Sequence, residues 1–498
     1  MLKTTVRALL LASSLAVAAG TTSRAAELAT PARVVTHHHT SIGGRTVDYD
    51  AVGEPIVIET ADGQPEASLY SFSYLRTDAP AAADRPVIFL FNGGPGCSSV
   101  YLHMSGLGPR RVVTGAGPDQ PAQPPFKVED SAFSVLDVAD LVFVDPVTTG
   151  FSRPLGAAKP EDFFGVTEDA RAMSQFVERW LSLHGRWNSP KYLLGESYGT
   201  VRAAVMTKEL MGSVTTGQFH GVALNGVILI GQAMDMSQTA DNADNDLSYQ
   251  LDLPTMAAVA WYHHRAGAGR TLDEVLADAR AFAGGDYARA LEAGDGLAPA
   301  EGQRLAARLS ELIGLPAPFI AANNLRVSSA VFRDALLKDQ GLVVSSTDGR
   351  FTAPAKTVAG PTVVVDIAAV KFDTAVIAAL NQDMRAGLGV SPEAAYLPVN
   401  FEADFKWKWG SDPFYLNVAP YLGEAMRENP GFRAMFAMGE YDLTTPMAAA
   451  ERVITHSGLA PGRVTRRYYA AGHMAYMGDA QARALADDVR AFVKSSPP

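Results

Sequence analysis

Short, wholly apolar runs recur along the first half of the chain and predict buried β-strands. A continuous apolar run of about five residues is typical of a strand covered on both faces, as in a parallel sheet. Such runs occupy residues 87–91, 141–144, 192–194 and 227–230. Between the second and third runs, apolar residues recur at helical spacing, namely Met173, Phe176, Val177, Trp180 and Leu181. The order of strand, helix and strand predicts a mostly parallel central sheet flanked by helices.

The pattern changes after about residue 235, where helical periodicity replaces the apolar runs. Thr271 and Glu274 have the spacing of a helix capping box, and an apolar helical stripe follows at 305–313. Strand-like runs return near the C-terminus, at residues 432–438 and 464–469. We therefore predict an α/β core interrupted by an inserted, mainly helical cap, with the first part of the core at 27–235, the cap at 236–360 and the second part of the core at 361–498.

The N-terminus has the features of a secretory signal peptide. Lys3 and Arg7 flank the start of an apolar stretch over residues 8–19, and small residues follow it. About a dozen apolar residues are too few to span a bilayer, so we predict a cleaved signal peptide over 1–26 and no stable membrane anchor. A single cysteine, Cys97, forms no intrachain disulfide. This favours a bacterial protein, periplasmic or secreted, over a eukaryotic secretory route.

Composition excludes some classes of partner. The chain has 498 residues, of which 47% are hydrophobic and 19% charged, so it is able to bury a large core. Its formal net charge of −11 is spread out, and no stretch interleaves Lys or Arg with aromatics, so we expect no nucleic-acid partner. The run His37 to His39 raises the possibility of a metal site, but adjacent residues of a strand face opposite ways. We interpret the polar residues 27–45 as a solvated leader.

One short motif predicts a nucleophile. Gly195-Glu196-Ser197-Tyr198-Gly199 follows the apolar run at 192–194 and precedes a helical pattern. A Gly-x-Ser-x-Gly turn between a strand and a helix is the nucleophile elbow, in which small neighbours let the serine hydroxyl stand clear of the backbone. We predict Ser197 as the nucleophile.

A serine nucleophile needs a base, and the base needs an acid that fixes its tautomer. His473 follows the predicted strand at 464–469, and Asp442 follows the one at 432–438, so both would lie at the same edge of the sheet. We predict Ser197, Asp442 and His473 as the catalytic triad. His456 is the alternative base, and Glu440 is the alternative acid.

A glycine-rich turn, Asn92–Ser99, directly follows the apolar run at 87–91. It lacks the Lys-Ser/Thr ending of a phosphate-binding P-loop. Its better use is an oxyanion hole, which needs backbone N–H groups and no side chain in the way. We predict that Gly94 and Tyr198 supply the two N–H donors.

These motifs together resemble the serine carboxypeptidases, a family with the α/β-hydrolase fold. The four blocks, in chain order, are Asn92–Ser99, Gly195–Gly199, Gly439–Asp442 and Gly472–Met474, and residues 145–152 are similar to a fifth. The resemblance implies that Asn92, Gly93 and Glu196 bind the C-terminal carboxylate of a peptide substrate. Since two adjacent carboxylates repel each other, Glu196 would have to share a proton with that carboxylate, which predicts peptidase activity that is best at acid pH.

The chain departs from the family pattern in one important position. The family usually has a second glutamate in a Glu-x-Gly-Pro step, where this chain has Gly106. Arg110 and Arg111 follow this step and offer positive charge to a carboxylate. We predict a serine-type carboxypeptidase that needs no metal or cofactor, with an esterase or acyltransferase on the same triad as the alternative. A binding protein that has lost the chemistry is disfavoured because the triad is intact, and the sequence predicts no oligomeric state.

Overall fold

The computed structural model describes residues 30–79, 84–113, 123–212, 220–238, 245–355, 366–390, 393, 395–410 and 416–495. The predicted signal peptide over 1–26 lies outside these residues. No helix in the described ranges is both long and apolar enough to cross a membrane.

The described part of the chain contains the following β-strands. They are β1 (Val34–Ile42), β2 (Arg45–Glu59), β3 (Pro65–Arg76), β4 (Val87–Phe91), β5 (Arg110–Val112), β6 (Val128–Asp130), β7 (Asp140–Val144), β8 (Arg153–Pro154), β9 (Lys191–Glu196), β10 (Gly226–Ile230), β11 (Leu342–Val344), β12 (Thr352–Pro354), β13 (Arg433–Gly439) and β14 (Val464–Tyr469). The predicted strands correspond to β4, β7, β9, β10, β13 and β14 and are confirmed.

The α-helices of the described residues follow the same chain order. They are α1 (Val166–Leu183), α2 (Tyr198–Met211), α3 (Asp246–Tyr262), α4 (Leu272–Phe282), α5 (Ala288–Ala293), α6 (Pro299–Ile313), α7 (Ala317–Ala322), α8 (Ser329–Ala335), α9 (Ile367–Ala386), α10 (Phe401–Lys406), α11 (Pro420–Glu428), α12 (Met447–His456) and α13 (Asp479–Lys494). Thr271 and Glu274 form the predicted capping box at the start of α4. A π-helical turn, Leu102–Leu107, lies between β4 and β5.

A single large sheet organises the molecule, with the order β1-β2-β3-β7-β4-β9-β10-β13-β14 and β8 paired to β3. The strands from β7 to β14 along this order pair in parallel, and those from β1 to β7 pair antiparallel. The sheet is therefore mostly parallel, as predicted. Because β9, β10, β13 and β14 are parallel neighbours, their carboxyl ends meet at one edge, where ligand sites of open α/β sheets lie.

Alternate residues of the central strands enter two hydrophobic cores, one on each face. Phe89, Leu193 and Leu229 face the core that contains α1, α2 and the helices after β10. Ile88, Leu194 and Ile228 face the other core, which contains α9 and α13. Coverage on both faces explains why these strands are continuous apolar runs.

The N-terminal segment differs from its prediction as a solvated leader. Residues 34–42 form β1, an edge strand that pairs antiparallel with β2. His37 lies 2.5 Å from the Asp50 carboxylate, whereas His38 stacks on Tyr49 with ring centroids 5.5 Å apart. The error arose because the inward-facing side chains of this edge strand are only partly buried over most of its length, so its sequence resembles that of an exposed loop. Within the described ranges, no group of three His, Cys, Asp or Glu side chains is placed to hold a metal ion.

Candidate active site

Ser197 occupies a sharp turn between β9 and α2. Its φ of 59° lies in the left-handed region, which is uncommon for a residue other than glycine and is the strained conformation of a nucleophile elbow. Its N–H donates to the Ile230 carbonyl at 2.9 Å, which ties the turn to the end of β10. A Cβ on Gly195 would lie only 2.1 Å from the Gly199 carbonyl oxygen, so the chain closes this tightly only with glycine there.

His473 and Asp442 meet on the loops that follow β14 and β13. His473 Nδ1 lies 2.8 Å from Asp442 Oδ2, and Asp442 is fully buried. The second oxygen, Asp442 Oδ1, accepts the Thr444 and Thr445 N–H groups at 2.9 and 3.0 Å. These bonds hold the carboxylate in one orientation, so it fixes the imidazole with Nδ1 as donor and Nε2 facing away.

The imidazole lies beside the elbow. Gly231 directly follows Ile230, whose carbonyl binds the Ser197 N–H, and a Cβ on Gly231 would lie 2.9 Å from His473 Cε1. A side chain at residue 231 would therefore displace the ring. Burial acts to lower the pKa of His473, but the Asp442 carboxylate, and to a lesser extent Glu196, outweigh it and raise this pKa to about 9.

A polar loop supports His473 from behind. The Thr347 carbonyl accepts the His473 N–H at 2.6 Å, and Asp348 Oδ2 accepts the Gly472 N–H at 3.1 Å. Asp366 in turn accepts hydroxyl and amide groups of Ser345 to Thr347. The sequence analysis missed this support, and only the run of Ser and Thr residues at 345–347 could have drawn attention to it.

The glycine-rich turn lies against the elbow backbone. A Cβ on Gly93 would be 2.5 Å from the Tyr198 nitrogen, and Gly94 has a φ of +104° that side chains rarely adopt. The first N–H groups of α2 have no carbonyl partner within the helix, and the helix dipole makes this end electropositive. The structure thus places Gly93, the neighbour of Gly94, against the Tyr198 backbone beside Ser197, as the predicted oxyanion hole requires.

Two buried charges brace this turn, and the sequence analysis assigned this role to neither of them. Asp145 accepts the Ser99 N–H at 2.9 Å and the Ser99 hydroxyl at 2.8 Å. Arg202, on α2, donates to the Asn92 carbonyl at 2.6 Å and to Asp169 at 2.7 Å. A single charged residue in an otherwise apolar stretch gives no local signal of its partner.

Glu196 is buried at the bottom of the site. Burial raises its pKa to about 7, although the nearby His473, Tyr476 and Asn92 side chains act to lower it. The Asn92 amide oxygen accepts the Leu102 N–H at 3.1 Å, so the amide NH₂ is directed to the other side. Glu196 Oε2 and the Tyr476 hydroxyl are both buried and lie within hydrogen-bonding reach of each other and of Asn92, although neither forms a bond of normal geometry within the described residues.

The remaining sequence candidates lie elsewhere. Arg110 pairs with Asp383 and Asp130. Arg111 pairs with Glu129 and Asp479. Both arginines are therefore engaged by carboxylates of the protein.

The alternative base and acid make other contacts. His456 is an exposed residue at the end of α12, 3.3 Å from Arg452. Glu440 lines a cleft with Arg280 and Tyr468. Asp442, and not Glu440, is the carboxylate that contacts His473.

Cys97 is a free cysteine whose sulfur lies beside Gly94. Burial raises the pKa of its thiol to about 12. Since the thiolate is the reactive form, this cysteine is inert at ordinary pH.

Part of the chain is similar to a known protein family. The family model described as serine carboxypeptidase matches residues 60–265, a range that includes the glycine-rich turn and the elbow. Over this range the chain is similar to the serine carboxypeptidases. Asp442 and His473 lie beyond the matched residues, so their assignment depends on the geometry described above.

Individual relatives align over part of their length. The chain is 37% identical over 134 residues to a pheromone-processing carboxypeptidase kex1 of Sclerotinia sclerotiorum, covering 26% of this chain and 19% of that protein. It is 25% identical over 154 residues to serine carboxypeptidase-like 8 of Arabidopsis thaliana, covering 30% of this chain and 33% of that protein. The alignments with these curated relatives thus span a third of their length or less.

The fold extends further than the sequence similarity. The crystal structure of Kex1(delta)p, a prohormone-processing carboxypeptidase from Saccharomyces cerevisiae, matches with a TM-score of 0.55 at 16% identity. The match covers 90% of this chain and 91% of the other. Together with the sheet order, this likeness confirms the predicted α/β-hydrolase fold.

Proposed function

We propose that this protein is a serine-type carboxypeptidase. The observation that carries the proposal is the buried Glu196, which lies beside Asn92 at the foot of the elbow and has a pKa raised to about 7 by burial. A carboxyl group that is neutral below this pH binds a substrate carboxylate by sharing its proton, whereas an ionised one repels it. A free C-terminal carboxylate held by Asn92, Gly93 and Glu196 would present the last peptide bond to Ser197.

The mechanism follows from the positions of the other groups. Ser197 Oγ attacks the carbonyl carbon of that bond while His473 takes the hydroxyl proton, and Asp442 stabilises the imidazolium that forms. The Gly94 and Tyr198 N–H groups stabilise the negative oxygen of the tetrahedral intermediate. His473 then gives its proton to the leaving amine, which departs as a C-terminal amino acid. Water, deprotonated by His473, releases the acyl group from Ser197 in a second round.

This mechanism makes the activity on peptides depend on pH. The titratable groups that most affect the pKa of Glu196 are His473, Asp442 and Tyr476. Asp442 raises this pKa, His473 and Tyr476 lower it, as does the uncharged Asn92, and burial dominates. Glu196 therefore binds a proton as the pH falls through about 7, and we expect binding of the free acid to weaken as the pH rises through this value.

We also propose a location and a domain arrangement. The basic and apolar residues at 1–26 support export through a cleaved signal peptide to the periplasm or beyond. The helices α3 to α8, which follow β10, support a cap over residues 236–360 between the core parts at 27–235 and 361–498.

One comparison tests the proposed activity. An N-blocked dipeptide with a free C-terminal carboxylate, its C-terminal amide and a simple acyl ester are offered at about pH 5, with Ser197→Ala as control. We expect strong preference for the free acid and a loss of about 10⁶ in turnover in Ser197→Ala, because triad members act as a unit. Cleavage of the ester alone would indicate an esterase or acyltransferase, and wild-type turnover by Ser197→Ala would exclude this nucleophile.

A further inference from the structure

The family's second carboxylate-binding glutamate is absent from this chain, and the structure shows what lies in its place. A Cβ on Gly106 would sit 3.7 Å from the ring of Tyr476 and 3.6 Å from Leu102. The tyrosine ring thus covers the bare backbone of residue 106. A Cβ at that position would be in ordinary van der Waals contact with the ring.

Tyr476 belongs to the same loop as His473 and is almost fully buried. Its hydroxyl lies beside the Glu196 carboxyl and the Asn92 amide, the two groups proposed to bind the substrate carboxylate. Burying a hydroxyl without a hydrogen bond costs about 1–3 kcal/mol. A protein tolerates this cost most readily where a ligand completes the bond.

Two buried polar atoms without a well-aligned hydrogen bond meet at this point. The Tyr476 hydroxyl and Glu196 Oε2 lie within reach of each other and of Asn92, but neither forms a hydrogen bond of normal geometry within the described residues. A substrate carboxylate has two oxygens and accepts several hydrogen bonds, so one such group would satisfy both the hydroxyl and a protonated Glu196.

We propose that the Tyr476 hydroxyl donates a hydrogen bond to the C-terminal carboxylate of the substrate and replaces the family's second glutamate. This inference rests on the proposed carboxypeptidase function and adds a binding residue to it. Unlike a glutamate, the phenol stays uncharged and remains a donor across the physiological range, because burial raises its pKa well above the ordinary value. The site therefore contains one acidic group where the family usually has two.

The test is Tyr476→Phe, which removes the hydroxyl and keeps the ring over Gly106. Wild type and variant are compared at about pH 5 on the N-blocked dipeptide acid and on the neutral acyl ester. A hydrogen bond to a charged group contributes about 1.5–3 kcal/mol, so we expect the KM of the acid to rise about 10-fold to 100-fold with little change in kcat. The ester should be cleaved at the wild-type rate.

Inhibition of ester hydrolysis by an N-acyl amino acid gives a second readout of carboxylate binding, and its inhibition constant should rise by the same factor. Tyr287→Phe is the matched control, since Tyr287 is a buried tyrosine whose hydroxyl donates to the Leu325 carbonyl in the helical region. It should leave both substrates unaffected.

An unchanged KM for the acid in Tyr476→Phe would overturn the proposal. Equal losses on acid and ester would also overturn it, because they would show that Tyr476 only positions the His473 loop. If wild type cleaves the ester but neither cleaves the acid nor is inhibited by the N-acyl amino acid, the carboxypeptidase function fails and this inference fails with it. If wild type prefers the acid and Tyr476→Phe leaves the KM of the acid unchanged, the role of Tyr476 is refuted and the carboxypeptidase function stands.

Discussion

At the scale of single residues, electrostatic coupling between buried groups governs the ionisation of Glu196 and His473. Glu196 and His473 are both buried, and each acts on the pKa of the other, since an ionised Glu196 stabilises the imidazolium and an imidazolium stabilises the carboxylate. A buried base with a pKa near 9 would be protonated at neutral pH and unable to accept a proton. Protonation of Glu196 removes one of the charges that raise this pKa, so a proton on Glu196 favours the neutral base.

Glu196→Gln should therefore lower the pKa of His473. Glutamine carries no charge, so the pKa of His473 loses one of its raising influences, and the neutral imidazole persists to lower pH. We expect the acid limb of kcat/KM for a neutral ester to move to lower pH in the variant. Glu440→Gln, which changes a carboxyl in the cleft beyond Asp442, is the control and should leave the limb in place. An acid limb of kcat/KM at the same pH in wild type and in Glu196→Gln would contradict this coupling.

At the scale of elements, a buried ion pair joins three pieces of the fold behind the site. Arg202 of α2 is fully buried, binds Asp169 of α1 and donates to the Asn92 carbonyl at the end of β4. Its guanidinium also lies 5.4 and 5.2 Å from the rings of Phe91 and Tyr198. The helix that follows Ser197 is thereby held against the strand that leads into the glycine-rich turn.

Arg202→Met should destabilise the protein strongly, because Asp169 would remain as a buried charge without its cation. Removing one partner of a buried pair costs about 3–5 kcal/mol, whereas replacing both by apolar residues is often near neutral. We therefore expect the double variant Arg202→Met, Asp169→Leu to recover much of the loss in the free energy of unfolding, measured in urea. Arg171→Met is the control on α1, where a half-exposed arginine pairs with Glu66 and about 1 kcal/mol or less should be lost.

A double variant no more stable than Arg202→Met would show that the uncompensated Asp169 charge is not what destabilises the single variant. Ester hydrolysis measured during the same urea titration reports on the position of the glycine-rich turn. A displaced turn lowers kcat even where the protein remains folded.

At the scale of the whole molecule, the buried His103 makes stability depend on pH in the acid range in which we propose that the protein is active. His103 lies in the core that contains α9 and α13, stacked on Phe143 with ring centroids 4.6 Å apart and 2.6 Å from the Tyr74 hydroxyl. Burial lowers its pKa to about 3. In the unfolded chain the same group takes up a proton near its ordinary pKa of about 6.5. Below that pH the unfolded state binds more protons, so stability falls as the pH falls towards 3.

Replacing His103 should make the free energy of unfolding less dependent on pH in the acid range. Each pH unit within this window is worth about 1.4 kcal/mol, so wild type should lose about 2 kcal/mol from this group between pH 6.5 and 5. His103→Gln keeps a polar partner for Tyr74 but does not titrate. We expect the stability difference between variant and wild type to shift by that amount in favour of the variant at pH 5. A difference that is constant with pH would mean that His103 is protonated in the folded protein.

The sequence by itself determined those features that depend on local patterns. The strands β4, β7, β9 and β10 were predicted because a strand buried on both faces must be apolar throughout, and the elbow because its close approaches demand glycine at residues 195 and 199. The order of these motifs along the chain was also sufficient to predict the α/β-hydrolase fold, which the sheet order bears out.

Only the tertiary structure decided which distant polar groups meet. Nothing next to Arg202 in sequence indicates Asp169 or Asn92, and nothing next to Tyr476 indicates Gly106 or Glu196. The pairing of β1 with β2 was missed for the same reason. Backbone hydrogen bonds stabilise this edge strand, and they leave no pattern in the side-chain sequence. Apolar burial leaves a periodic signal in the sequence, whereas a hydrogen bond or an ion pair between remote segments depends on the folded geometry that brings two atoms within about 3 Å.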